Sequence, residues 1–183
     1  MPDAPRSEPD AADTADFVSP GPDPMLGRTL AGKFAIEAVV GHGSMGTVYR
    51  ARQVALDKTV AVKVLNRDLA AQAASVVRFR REARAASRLD HPNSIRVFDF
   101  GEEPDGILYL AMEFVEGQDL RALLMEKGLL PAPRIIEVLS QVLAAVAVAH
   151  DLGVFHRDLK PENILVVRRV GDDGIPFLSL IHI

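Results

Sequence analysis

The chain has 183 residues, 48% of them apolar and 25% charged, which suits one soluble globular domain of good size. Its net charge of −4 is uneven: residues 1–24 hold Asp3, Glu8, Asp10, Asp13, Asp16 and Asp23 against Arg6, so the remainder is nearly neutral and gives no electrostatic case for nucleic acid as a partner. No cysteine is present, which excludes disulfides and thiolate metal sites and fits the cytoplasm; no signal peptide opens the chain, and the longest unbroken apolar run, Val142 to Ala149, falls well short of the ~18 residues of a membrane span.

Six of the twelve prolines lie in residues 1–24, where large apolar residues are almost absent. Such a segment buries too little surface to offset its ordering entropy, so residues 1–31 are expected to form a disordered, acidic, proline-rich tail, with folded sequence from about Gly32. Strands follow. "KFAIEAVV" and "TVYRARQVA" flank a glycine cluster, and "KTVAVKVL" alternates, with Val60, Val62 and Val64 on one face and Ala61, Lys63 and Leu65 on the other. From about 70 to 89 the period changes: Val76, Phe79, Ala83, Ala86 and Leu89 form a helical stripe, which His91-Pro92-Asn93 ends. "SIRVFDF" and "ILYLAMEFV" read as two more strands. Pro131 and Pro133 then open a long apolar helix, and Gly153 lies just past its end. Strands, one helix, strands and then helices predict an α+β fold with a sheet-rich first lobe and a helical second lobe.

Three stretches carry chemistry. Gly41, Gly43 and Gly46 in "GHGSMGTV" have the spacing G-x-G-x-x-G, weak evidence alone because a glycine-rich hairpin turn gives the same pattern. Gly46 is followed by strand rather than helix, which removes the dinucleotide-binding reading, and no Gly-Lys-Ser/Thr follows. What remains is a hairpin whose backbone can lie close over a phosphate chain. Lys63 falls on a buried strand face, where an ammonium needs an anionic partner, and Glu82 lies beside the inward stripe of the helix. The alternative is that Lys63 reaches solvent along its stem while Glu82 pairs with Arg78 four residues back. Third, "GVFHRDLKPENIL" sets Asp158, Lys160 and Asn163 in one short run. A carboxylate can orient a hydroxyl and take its proton, a lysine can offset developing charge, and an amide oxygen can ligate magnesium, which are the parts phosphoryl transfer needs held firmly. Val154-Phe155 and Ile164-Leu165 are expected to anchor the two ends of this loop in the core.

Taken together, "GHGSMGTVYRARQVALDKTVAVKVL", Glu82 in "RFRREARAASRLDHPN" and "HRDLKPEN" resemble a eukaryotic-type protein kinase, most closely the bacterial serine/threonine kinases, over about Phe34 to Phe177. The resemblance implies a bilobal kinase fold with a complete N-terminal lobe and hinge over 32–115 and a partial C-terminal lobe over 116–177. It implies ATP and Mg2+, with Gly41, Gly43 and Gly46 over the phosphates and Val48, Ala61 and Leu165 around adenine. Lys63 would hold phosphates and pair with Glu82. Met112 would stand at the back of the pocket, Glu113 and Val115 would offer hinge backbone, and Asp119 would reach the ribose. Asp158 would be the catalytic base, Lys160 would steady the γ-phosphate and mark Ser/Thr acceptors on protein substrates, and Asn163 would bind magnesium. Arg157 beside the base implies control by phosphorylation of an activation loop.

The family's next motif, Asp-Phe-Gly, does not follow "RRVGDDGIPF". The chain instead reads "LSLIHI", which resembles the translation of a sequencing-library adapter, so residues 178–183 are expected to be a non-native tail on a truncated frame, and the chain as given is expected to be inactive. A silent nucleotide-binding or docking module is the alternative. Kinases of this bacterial type often carry a membrane span downstream, so anchoring through such a region stays open.

Overall fold

The computed structural model describes residues 23–168 and 176–180; most of the expected N-terminal tail, residues 169–175 and residues 181–183 lie outside the described residues. The first lobe is an antiparallel sheet of β1 (Thr29–Leu30), β2 (Phe34–His42), β3 (Gly46–Gln53), β4 (Lys58–Leu65), β5 (Val97–Glu102) and β6 (Leu108–Glu113), in spatial order β1-β2-β3-β4-β6-β5. Helices α1 (Arg67–Ala70) and α2 (Ala73–Ala86) are inserted after β4.

Strand register decides which residues meet. Tyr49 stands opposite Val62, and Val62 opposite Ala111. Side chains alternate along a strand, so these three share one face and their neighbours Val48, Lys63 and Leu110 share the other. The first face closes with Leu30, Phe34, Ile36, Val60 and Tyr109 into a core. The second presents Leu65, Leu108 and Leu110 to Phe79 and Ala83 of α2.

Residues from Asp23 onward belong to the folded lobe, ahead of the Gly32 start expected from the sequence. Met25 and Leu30 are buried in the first core, and β1 pairs with β2. The Asp23 carboxylate accepts hydrogen bonds from the Tyr49 hydroxyl at 3.0 and 3.1 Å and from the Met25 amide at 2.8 Å. Average composition hid this edge, because two well-placed apolar residues are enough to dock a short segment.

The second lobe holds β7 (Gln118–Asp119), α3 (Leu120–Lys127), α4 (Ala132–Asp151), β8 (Ile164–Arg168) and β9 (Pro176–Leu180), with strand order β7-β8-β9. Its core joins Leu120, Val138, Val142, Ala145, Ile164 and Val166. Proline opens α4, and Gly153 (φ +72°) leads the chain away after donating to the His150 carbonyl at 2.9 Å. Among the described residues α4 alone has the length and mean hydropathy of a membrane span; its Val138–Val142–Ala145 stripe packs in the core, while Ile135, Ile136, Leu139 and Leu143 are exposed. Neither β7 nor α3 was foreseen. Residues 178–180, within the stretch expected to be non-native, pair in β9 with Ile164–Val166.

Leu30 is fully buried, so Leu30→Ala is expected to cost about 2–5 kcal/mol. The urea midpoint should fall with little change in slope; an unmoved midpoint would place residues 23–31 outside the cooperative fold.

Candidate active site

The glycine hairpin is closed by two backbone hydrogen bonds between Gly43 and Gly46, at 2.8 and 3.3 Å. The three glycines divide into two kinds. A Cβ on Gly46 would lie 2.0 Å from the Val64 carbonyl oxygen and 2.9 Å from its carbon, so the close approach of β3 to β4 forbids a side chain there. At Gly41 nothing lies within 4 Å of such a Cβ, and at Gly43 the nearest atom is the Gly46 oxygen at 3.5 Å. The fold tolerates side chains at 41 and 43, so their bareness leaves room above the sheet. Met45 packs against the α2 cluster, and its carbonyl accepts the Asn66 amide at 3.1 Å, which ties the hairpin tip down.

Beneath this hairpin, Val48 stands opposite Lys63, Lys63 opposite Leu110, and Ala61 opposite Met112. Lys63 is 6% exposed. Burial pushes its ammonium down to about 8; the Glu82 charge opposes that shift and Arg78 adds to it. Glu82 accepts from the Arg78 Nε at 2.9 Å. Each sequence alternative is therefore part of the answer: Lys63 is buried within the field of Glu82, and Glu82 pairs with Arg78 along its own helix.

From Met112 the chain runs through Glu113, whose amide donates to the Arg96 carbonyl at 2.8 Å, past half-buried Val115, to Asp119, which pairs with Leu165 of β8. Seven residues of extended chain span at most about 25 Å, which limits how far the Ala61–Lys63 face can stand from β8. Gly117 passes so close to β8 that a Cβ there would lie 2.9 Å from the Val166 oxygen. Asp119 caps α3, with its Oδ1 accepting the Ala122 amide at 2.8 Å. Leu165 is half-buried, between Ile164 and Val166, which face the second core, so it turns to the opposite side.

The loop before β8 brings Asp158, Lys160 and Asn163 together. The Lys160 ammonium lies 2.7 Å from Asp158 Oδ2. The Asn163 Nδ2 donates to the Asp158 carbonyl at 2.7 Å and to Oδ2 at 3.2 Å. The hydrogen bond from Lys160, then that from Asn163, holds the Asp158 carboxyl below the usual range, so it is ionised at neutral pH. Arg157 adopts φ +57°, a conformation that costs an L-residue energy and that recurs at functional loops. The expected anchors differ between the ends. Ile164 is buried and Leu165 half-buried, but Phe155 is exposed, its ring 4.9 Å from that of His150 in the last turn of α4.

Two supports were missed in the sequence. Arg121 of α3 pairs with Glu162 at 2.6 Å, which steadies the single 3-10 turn over Pro161–Asn163. Asn93, only 7% exposed, donates to Gln141 Oε1 of α4 at 2.9 Å and so joins the two lobes. A buried asparagine after a helix-ending proline was the available signal; its partner lies 48 residues away and leaves no local trace.

A magnesium nucleotide fits this residue set. Lys63 is buried on the sheet face it shares with Val48, two residues along β3 from the glycine hairpin, and Asn163 spends its amide nitrogen, not its oxygen, on Asp158. Among the described residues no group of three or more acids or histidines is placed to hold a metal ion.

A strand-rich lobe with a glycine hairpin over a buried lysine, joined by an extended segment to a helical lobe that carries an Asp–Lys–Asn loop, defines a two-lobed phosphotransferase architecture. The chain belongs to the protein kinase family: the protein kinase domain model matches residues 34–175. It is 52% identical over 151 residues to serine/threonine-protein kinase pkn3 of Myxococcus xanthus, covering 82% of this chain and 28% of that one. Against serine/threonine-protein kinase PrkC of Bacillus subtilis it is 42% identical over 142 residues, covering 78% and 22%. The crystal structure of the Mycobacterium tuberculosis PknI kinase domain superposes with a TM-score of 0.72 at 32% identity, over 85% of this chain and 61% of that one. The chain thus spans about a quarter of the curated relatives it matches.

Two outcomes are expected. Gly46→Ala should lower the melting temperature, while Gly43→Ala should leave it unchanged and weaken nucleotide binding alone. For Lys63, the folded value near 8 lies below the unfolded value of 10.5, so the unfolded chain binds more protons between them and stability rises with pH across that window. Below pH 8 the full penalty applies, on the order of 3 kcal/mol. Lys63→Met should therefore be more stable than the parent at pH 7, with the gap closing by pH 10.5 in denaturant titrations.

Proposed function

We propose that this chain is the nucleotide-binding and catalytic-loop portion of a protein kinase that transfers the γ-phosphate of ATP to serine or threonine hydroxyls of proteins. The observation that carries this reading is the Asp158–Lys160–Asn163 cluster, presented on a supported loop next to β8 in a fold whose other lobe buries Lys63. When bound, Mg·ATP supplies the transferable phosphoryl group and charge neutralisation. Lys63, buried away from water, gains from phosphate oxygens what burial removed. Asp158 orients the acceptor hydroxyl and takes its proton late, since its low pKa makes it a weak base in the ground state. Lys160, now on Asp158, is placed to move onto the phosphoryl oxygens, which would raise the basicity of Asp158 as transfer proceeds. Asn163 offers its oxygen to magnesium. Val48, Ala61, Met112 and Leu165 would enclose the base, Glu113 and Val115 would offer it backbone groups, and Asp119 keeps Oδ2 for the ribose. Lys160 and the pkn3 and PrkC likeness support Ser/Thr acceptors, and a cytoplasmic domain accords with the absence of cysteine.

Residues 164–183 contain no Asp-Phe-Gly, so the 183-residue chain carries one of the two magnesium ligands of the family pattern, and we propose that alone it binds nucleotide without efficient turnover. That same feature favours the second reading, a silent nucleotide-binding or docking module. Phosphate incorporation from ATP into a generic Ser/Thr-bearing protein, using the complete reading frame, separates the two. Asp158→Asn should reduce it about a thousandfold or more, by analogy with loss of a base in a positioned site. Equal incorporation by both proteins would remove Asp158 from its role, and Mg·ATP binding without Asp158-dependent turnover would favour the docking module.

A further inference from the structure

Helix α2 presents to solvent a ridge that its role beside Lys63 does not use. Arg81 and Arg84 lie in α2 at i and i+3, away from buried Phe79 and Ala83, and Arg88 lies in the turn that follows the helix; all three are exposed, as is Val77. Their neighbours are already committed: Arg78 is held by Glu82, and Arg80 by Glu102. Among the described residues no acid forms an ion pair with Arg81, Arg84 or Arg88. Three exposed guanidiniums that form no ion pair within the described structure favour an anionic occupant.

We propose that the occupant is the chain's own N-terminal segment, residues 1–22, docking in cis on the Arg81–Arg84–Arg88 ridge. Charge complementarity argues for it. That segment carries Asp3, Glu8, Asp10, Asp13 and Asp16 against Arg6, in a chain whose remainder is close to neutral. Reach permits it. The segment leaves from Asp23, fixed to the first lobe by Tyr49. Twenty-two residues extend up to about 75 Å, several times the ~15 Å radius of gyration of a domain this size. Exposed ion pairs are individually weak, but tethering supplies a local concentration near the millimolar range, so several weak contacts suffice. Because α2 also carries Glu82, the docked segment would load the helix that sets the field at Lys63. This inference stands on charge and geometry and is independent of phosphoryl transfer.

The absence of native cysteine makes the test direct. Ser7→Cys and Val77→Cys, labelled with a donor–acceptor dye pair, report the separation of segment and ridge. High transfer is expected at low salt, with loss at 1 M NaCl, where the screening length drops to about 3 Å. The triple variant Arg81→Glu/Arg84→Glu/Arg88→Glu should show the same loss at low salt, and adding Asp10→Arg/Asp13→Arg/Asp16→Arg should restore transfer. That restoration, with unchanged thermal unfolding, rules out damage to the helix as the cause. Transfer insensitive to salt and to both reversals would overturn the proposal, as would transfer seen equally between singly labelled molecules. A second readout uses heparin as a polyanion. It should bind tighter when Asp10, Asp13 and Asp16 are changed to Asn, and equal affinity would show that the segment does not occupy the ridge.

Discussion

A lysine ammonium enclosed in the apolar face of a sheet is the constraint around which this molecule is arranged. The pairing of Val48 with Lys63 and of Lys63 with Leu110 leaves the charge with little water, and burial dominates its titration. Such a group is unfavourable in an isolated fold and becomes useful once an anion arrives. The surrounding elements serve that situation. The opposite face of the same strands holds the main core of the lobe, so the sheet can carry the strain of a buried charge without losing its own packing.

The supporting residues divide between fold and ligand more sharply than their motif suggests. Within one G-x-G-x-x-G pattern, a side chain at Gly46 would collide with the backbone of β4, whereas one at Gly41 or Gly43 would meet no close protein atom. Within one loop, Glu162 is spent on Arg121 and Ile164 on the second core, while Asp158, Lys160 and Asn163 are spent on each other. The close, mutually satisfied set is a resting arrangement: its members remain near the surface, where a substrate's charge can compete for them.

Much of this was legible in the chain itself. The period-2 alternation of β4 assigned Val60, Val62 and Val64 to one side and Lys63 to the other, and register bears that out. The prolines and Gly153 marked both ends of α4. What escaped was either short or distant. Strand β7 has two residues and α3 eight, too few for periodicity, although Asp119 and Gly128 (φ +75°) are capping signals at its ends. The start of the domain was obscured because Met25 and Leu30 follow a run of proline and acid whose composition outweighed them. The Arg78–Glu82 pair was visible at i,i+4 spacing, but only burial of Lys63 showed that both interactions bear on one carboxylate.

Among the described residues, the covalent run from Glu113 to Gln118 and the hydrogen bond from Asn93 to Gln141 link the lobes at places well apart in sequence. Two fixed points define a line. A rigid sheet and a rigid helix held at both would be free to swing about that line and hindered from sliding or twisting across it. Movement of one lobe against the other would then be a one-axis motion, like a book on its spine, with the side-chain amide of Asn93 as one end of the binding.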